Sequence, residues 1–281
     1  MSQKSYDGSN ALYLIPTPIG NLEDITLRAI NTLKMVDVIF CEDTRIASLL
    51  LNKLEIKKKL ISCNNINEDK VREKVLTYLQ DGNNVGLITD RGTPIISDPG
   101  YKTVEYVIEK GYSVIGLPGP TALIPALITS GIEPSPFIFY GFLNSKISKL
   151  EKELQELSIL KYTIIFYEAP HRIINTLNSM KKVLGNRKIS VNREISKMYE
   201  EIYRGTISDV ILELQEDVKG EFVIIVEGNR EIVDYNEISI KTHIRNYVEL
   251  GYTEKDAMKL VAKDRNMTKS DVYREYHKGS E

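Results

Sequence analysis

The sequence has no tryptophan, two cysteines, three histidines and no apolar run of membrane-spanning length, and neither sign of charge dominates it. Two cysteines, Cys41 and Cys63, cannot build a disulfide framework, so a reducing compartment is the expected setting. Neither belongs to a CxxC pair, and His171, His243 and His277 are scattered, so no metal site is expected. Nothing approaches 18 consecutive apolar residues, and the polar start MSQKSYDGSN is followed only by the short ALYLIP, too brief for a secretory core. A soluble, cytoplasmic protein with no membrane partner is therefore expected. With 37 Lys+Arg against 39 Asp+Glu, a net charge of −2, the chain is neither a highly charged disordered polymer nor a globally basic nucleic-acid coat. A local basic face is not excluded by that balance.

What is present is regular alternation. ALYLI (11–15), VDVIFC (36–41), KKLIS (58–62), NVGLITD (84–90) and YSVIGLP (112–118) are β-rich runs, each followed by a helical pattern. In EDKVREKVLTYLQ, for example, Val71, Val75, Leu76 and Leu79 recur at helical spacing. Strands alternating with helices of this length predict an α/β fold with a parallel or mixed sheet covered on both faces. The pattern then changes. FIFYGFL (137–143), YTIIFYE (162–168), KISVNRE (188–194), EEIYRGT (200–206) and EFVIIVE (221–227) are strands with fewer helices between them, two of them consecutive. That predicts a second, antiparallel or mixed sheet. The cluster LPGP suggests a boundary, giving an N-terminal α/β domain over 11–117 and a C-terminal one over 118–230. A charged linker, NREIVDYNE, leads to a small helical tail over 236–281. Thr253 with Asp256, and Thr268 with Asp271, read as helix N-caps with an acid at the third position, joined by a turn around RNMT in a helix-turn-helix-like spacing. The tail is the weakly basic end of an acidic protein, and a plain helical cap on the body or on a second subunit is an equally good reading of it.

Three Gly/Pro-rich segments follow predicted strands: TPIGN (17–21), TDRGTPIISDPG (89–100) and GLPGPTA (116–122). Loops at the carboxyl ends of strands are where open α/β sheets bind ligands, and glycine there lets backbone approach the ligand closely. None is a GxGxxG or a Walker A sequence, so an ordinary dinucleotide or nucleoside-triphosphate site is not supported. EDTR (42–45) closes the second strand; Asp43 or Thr44 can cap the next helix, leaving Glu42 and Arg45 for function. FYEAPHR (166–172) puts Glu168, His171 and Arg172 at a strand-to-helix turn, and NREISK (192–197) adds Arg193 and Lys197.

Taken in order, TPIGNLEDITLRA, FCEDTR, TDRGTPIISDPGY, LPGPTALIPALITSG, FYEAPHRI, REISK and KGEFVIIVEG resemble the ribosomal small-subunit RNA methyltransferase I family, within the tetrapyrrole-methylase superfamily. The resemblance is strong over about 11–228 and looser in the tail. It implies two α/β domains with S-adenosylmethionine (SAM) in the cleft between them, a homodimer, and 2′-O-methylation of a cytidine in 16S rRNA, within the 30S subunit, with S-adenosylhomocysteine as product. By motif position it implies that Pro16, Asp90, Gly92, Thr93, Thr121, Ala122 and Tyr167 line the cofactor site. Three departures stand out. Thr89 and Arg91 occupy a loop that usually reads Ser-Asp-Ala, Thr121 stands where Ser or Cys is common, and Asn64 and Ile66 replace the usual histidines before Asn67 and Glu68. Arg91 beside a cationic cofactor is the least expected of these and should point outward.

For a ribose hydroxyl to attack at neutral pH, a positioned base is useful, and the candidates are Glu42, Asp43, Glu168 and His171. Arg45, Arg172, Arg193 and Lys197 are the candidate RNA contacts, since phosphate contacts fix register without reading sequence. The alternatives are a tetrapyrrole methylase of the uroporphyrinogen or precorrin type and a non-catalytic RNA-binding assembly factor.

Overall fold

A computed structural model describes residues 3–5, 7–64, 66–214, 219–230, 238–249 and 251–278. Most of the predicted linker NREIVDYNE, from 231 onward, lies outside the described residues. The chain divides into two compact units, Met1–Asn229 and Arg230–Glu281.

The first unit opens with five short strands, β1 (Ala11–Leu14), β2 (Val38–Cys41), β3 (Lys59–Ser62), β4 (Val85–Ile88) and β5 (Ser113–Gly116), in the order β3-β2-β4-β1-β5. All four pairings are parallel. The strand pattern alternates in its packing, as a pleated sheet covered on both sides must. Ile39, Cys41 and Ile115 meet α1 (Leu27–Met35) and α2 (Thr44–Lys53) through Leu33, Ala47 and Leu51. Val38, Phe40 and Leu87 meet α3 (Glu68–Gln80) and α4 (Tyr101–Glu109) through Val75, Leu79 and Val107. Each fully buried Leu or Val of this kind contributes about 1.5–3 kcal/mol. Burial also pushes the Cys41 and Cys63 thiols up to about 12, so neither is a nucleophile at neutral pH.

The order has a functional consequence. From β1 the chain crosses in one direction to β2 and β3, then returns to β4 and continues to β5 on the opposite side. Right-handed crossovers running in opposite directions put their helices on opposite faces. The loop after β4 therefore departs to the face opposite the loops after its two neighbours, β1 and β2, which opens a crevice at the carboxyl ends of these strands.

After α5 (Leu123–Thr129), the second sheet is built from β6 (Phe137–Phe142), β7 (Thr163–Glu168), β8 (Lys188–Arg193), β9 (Glu201–Thr206) and β10 (Phe222–Val226), in the order β6-β7-β10-β8-β9. Only β6 and β7 are parallel; β7-β10, β10-β8 and β8-β9 are antiparallel. The predicted mixed sheet and the consecutive antiparallel pair are both present. Leu154 of α6 (Ile147–Leu157), Leu177 of α7 (Ile173–Leu184) and Val210 of α8 (Ile207–Glu213) cover one face. Ala126 and Leu127 of α5 cover the other, together with Ile195 and with Ile19 from the loop after β1. The two sheets fall on either side of the LPGP segment, inside one compact unit.

Among its described residues the second unit has three helices, α9 (Ile240–Glu249), α10 (Glu254–Asp264) and α11 (Lys269–His277). Thr253 accepts from the Asp256 backbone N–H and Thr268 from that of Asp271, the caps the sequence predicts. Ile244, Ala257, Val261 and Val272 form its core. No helix among the described residues is long and apolar enough to cross a membrane.

Glu68, one of two residues retained from the departing Asn64–Glu68 stretch, is buried and acts as a brace. Its Oε1 accepts from the backbone N–H groups of Gly100 at 3.1 Å and Thr103 at 3.3 Å, tying α3 to the start of α4. Asn67 accepts from the Asn64 N–H at 2.8 Å and donates to the Ser62 carbonyl at 3.1 Å. Removing the Glu68 carboxylate orphans two buried donors, so Glu68→Ala is expected to destabilise the protein by about 2–4 kcal/mol in urea unfolding, and Glu68→Gln by less.

Candidate active site

The crevice is held open by loops that are tied to each other. The loop after β1 and the loop after β4 form a two-way backbone bridge: Thr17 N–H donates to the Gly92 carbonyl at 2.9 Å and Gly92 N–H to the Thr17 carbonyl at 3.0 Å. The Thr17 hydroxyl donates to the Thr89 carbonyl at 3.1 Å. The Thr93 hydroxyl donates to the Pro120 carbonyl at 3.0 Å, bringing in the loop after β5. Gly92 has φ +81°, a conformation L side chains rarely adopt. At Gly119 a Cβ would come 2.6 Å from that of Pro16, so the close approach of the first loop requires a glycine here.

Against these loops lies a cavity of about 690 Å³, within the size range of small-molecule and cofactor sites. Asp90, Gly92, Thr93, Thr121, Ala122 and Tyr167, six of the seven residues expected at the cofactor site, line it. Pro16 instead backs Gly119. Sequence reasoning overlooked Asp98, Phe142 and Glu221, which also line the cavity. Asp98 sits in the segment GTPIISDPG; its signal was a carboxylate two residues before the glycine that opens α4.

The floor is acidic. The Thr89 hydroxyl donates to Glu42 Oε2 at 3.1 Å, with Asp98 close by. Burial pushes Asp98 up to about 6, with the Glu42 charge adding to it. Burial also raises Asp90, against the Asp43 backbone N–H that donates to it at 3.1 Å. Burial raises the Tyr167 phenol as well.

The four base candidates have different occupations. Asp43 is the N-cap of α2, accepting from the Arg45 N–H at 2.8 Å, and its hydrogen bonds with the Arg45 side chain and backbone hold it down to about 2. Glu42 accepts from Thr89. Glu168 is buried: Oε1 accepts from Ala169 N–H at 2.8 Å, Oε2 from the Thr176 hydroxyl at 2.6 Å, and the Arg172 guanidinium lies 3.4 Å away. His171 lines the cavity and is exposed. Among the cations, Arg172 donates to the Leu143 and Asn144 carbonyls, and Arg193 donates to the Lys219 carbonyl and to Glu201. Lys197 bridges Glu194 at 2.7 Å and Glu221 at 2.9 Å. Arg45, paired with Asp43, has a side chain 88% exposed. Arg91, expected to point outward, is part of the cavity lining, where its half-exposed guanidinium meets Glu221 at 2.6 Å and links the loop after β4 to the second sheet. No group of three or more potential metal ligands occurs among the described residues.

Residues 11–211 match the family described as Tetrapyrrole (Corrin/Porphyrin) Methylases. The chain is 47% identical to ribosomal RNA small subunit methyltransferase I of Bacillus subtilis (strain 168), covering 98% of both chains. It is 44% identical to the protein of the same name from Halalkalibacterium halodurans, covering 98% of this chain and 99% of that one. The chain belongs to the tetrapyrrole methylase family, in its ribosomal RNA small subunit methyltransferase I branch. Solved structures agree on the fold. The methyltransferase CobJ superposes with a TM-score of 0.60 at 18% identity, over 78% of this chain and 95% of that one. A uroporphyrin-III-C-methyltransferase from Thermus thermophilus gives 0.56 at 16%, over 78% and 94%.

The packing of the loops makes a steric prediction. In Gly119→Ala the new methyl meets a proline ring that has no rotamer to escape into, so a loss of about 1–3 kcal/mol is expected in thermal or urea unfolding.

Proposed function

We propose that this protein transfers the methyl group of SAM to the ribose 2′-hydroxyl of a cytidine in 16S rRNA, within the 30S subunit, in the cytoplasm and as a homodimer, without a metal. The observation that carries the reading is the acidic, glycine-looped cavity at the crevice of the first sheet, in a chain 47% identical to a ribosomal RNA methyltransferase. The residues 11–117 and 118–230 are read as two domains contributing to that one site.

The cavity suits a cationic cofactor. Asp90 and Asp98 carry carboxyls raised by burial and by neighbouring acids, and a positive ligand relieves that repulsion. The backbone of Gly92, with the side chains of Thr93 and Thr121 and the ring of Tyr167, offers polar and flat surface for a nucleoside. When bound, SAM would supply a sulfonium-activated methyl group; its transfer to the ribose oxygen would break the S–C bond, release S-adenosylhomocysteine and leave the hydroxyl proton to a base of the protein. The protein's part is to hold the acceptor in line and to exclude competing water, the positioning term that carries most of such rate enhancements. Of the four base candidates, His171 has the ring available at the cavity wall, whereas Asp43 is too acidic and Glu168 is occupied at both oxygens. Arg45 is the cation best disposed toward a phosphate. The overall charge of −2 supports an acceptor met on a local patch within an assembled subunit.

Labelled-methyl transfer tests the reading directly, offering undermethylated 30S subunits, naked 16S rRNA and a uroporphyrinogen-type tetrapyrrole side by side. Label in a 2′-O-methylated cytidine is the expected result; label in the tetrapyrrole alone would replace it. His171→Asn is expected to lower kcat by about 10²–10⁴-fold with SAM affinity retained. Asp98→Asn should weaken SAM binding in calorimetry while making the free protein more stable at pH 7, since a carboxyl raised to about 6 opposes folding once ionised. In the unsubstituted protein SAM affinity should be level above pH 6 and fall as pH drops below it, because the protonated carboxyl must lose its proton to meet a cation.

A further inference from the structure

In the second unit, α10 and α11 enclose an open groove of about 1020 Å³. Five cations line it, Lys255 and Lys259 from α10 and Lys269, Arg274 and Lys278 from α11 and its end, and among the described residues no carboxylate joins them in the lining. The convergence follows from helix geometry. Lys255 and Lys259 are four apart, as are Ser270, Arg274 and Lys278, so each set shares a helix face. Val272 and Tyr276 face the core of the unit, which turns these rows away from it. Tyr273 projects between the cations with 59% of its surface exposed, its ring centroid 4.3 Å from that of His277.

We propose that this groove binds the phosphate backbone of rRNA, with Tyr273 as a platform on which an unpaired base stacks. The proposal rests on the reading of rRNA as the acceptor. Affinity for RNA comes largely from cations that displace counterions from phosphates. In the first unit Arg91, Arg172, Arg193 and Lys197 are engaged with carboxylates or carbonyls. In the groove, Lys259 pairs with Asp256 at 2.6 Å and Arg274 with Asp271 at 3.1 Å, and Lys278 pairs with Glu275. All three are exposed pairs between residues three apart, the kind that contributes little and yields readily to a phosphate. Lys255 and Lys269 have no salt bridge among the described residues. An exposed aromatic beside such cations is the usual composition of a single-strand binding surface.

The test uses the full-length protein and its Lys255→Gln/Lys259→Gln/Lys269→Gln variant, glutamine being as good a helix former as lysine. Helix content by circular dichroism and SAM affinity should match the parent. Affinity for naked 16S rRNA should fall about tenfold or more at moderate salt. The slope of log affinity against log salt should become shallower by about 0.7–0.9 for each phosphate that the variant no longer neutralises. KM for the RNA should rise with kcat retained, and Tyr273→Ala should weaken binding without altering the salt slope. Unchanged RNA affinity and slope in the triple variant would overturn the proposal. So would a deficit confined to assembled 30S subunits with naked rRNA unaffected, which assigns the groove to a ribosomal protein. Binding is read separately from methyl transfer. A parent protein that binds rRNA through the groove yet methylates none would overturn the functional reading and leave the groove assignment standing.

Discussion

The two-way hydrogen bond between Thr17 and Gly92 joins loops that leave the sheet toward opposite faces, and the geometry of the cavity follows from that junction. A crevice at diverging loops would by itself be an open gap. Bridging it with backbone, then fastening the third loop through Thr93 to Pro120 and through Gly119 against Pro16, makes a single wall from three separate turns. The glycines in that wall serve distinct ends: Gly92 supplies a backbone conformation, Gly119 supplies clearance. Glu68 fixes the far end of the longest loop from a neighbouring helix, so both ends of the segment 89–100 are held.

Charge is sorted within this scaffold. Carboxylates gather under the cavity, where Glu42 and Asp98 both lie close to the Thr89 hydroxyl and burial, with the Glu42 charge, raises Asp98. At the rim, Arg91, Lys197, Glu194 and Glu221 form an ion-pair chain that neutralises itself and connects the two sheets. The second unit has the opposite arrangement, a groove lined by cations with no carboxylate in its lining among the described residues. A net charge of −2 conceals both, which is why composition alone excluded a basic coat and was silent about a basic groove.

The same residue types ended in different roles according to what surrounds them. Asp43, Glu168 and Asp98 are all acids next to a strand end or in a loop after one. Asp43 became a helix cap with an arginine on it, Glu168 a buried brace for the β7–α7 turn, and Asp98 an under-solvated acid facing the cavity. Proximity in sequence to a functional motif marks the first two as candidates, yet the third, inside an equally prominent motif, is marked only by its place two residues before the glycine that opens α4. Arg172 and Arg193 likewise read as free cations until backbone carbonyls from 143–144 and 219 are brought to them by the fold.

The strands, their grouping into a parallel and a mixed sheet, the capped helices of the tail and the loops that form the cavity were all legible in the chain read residue by residue. These depend on local periodicity, capping chemistry and glycine placement, all of which act within a few residues. The family was legible as well, because seven motifs recur in one order. Folding alone settled which acids keep a free oxygen, which cations keep a free charge, and that Asp98 comes to lie near Glu42, more than fifty residues away at the end of another strand. Ionisation and hydrogen-bond satisfaction are set by burial and by partners distant in the chain, and neither is written in the spacing of residues.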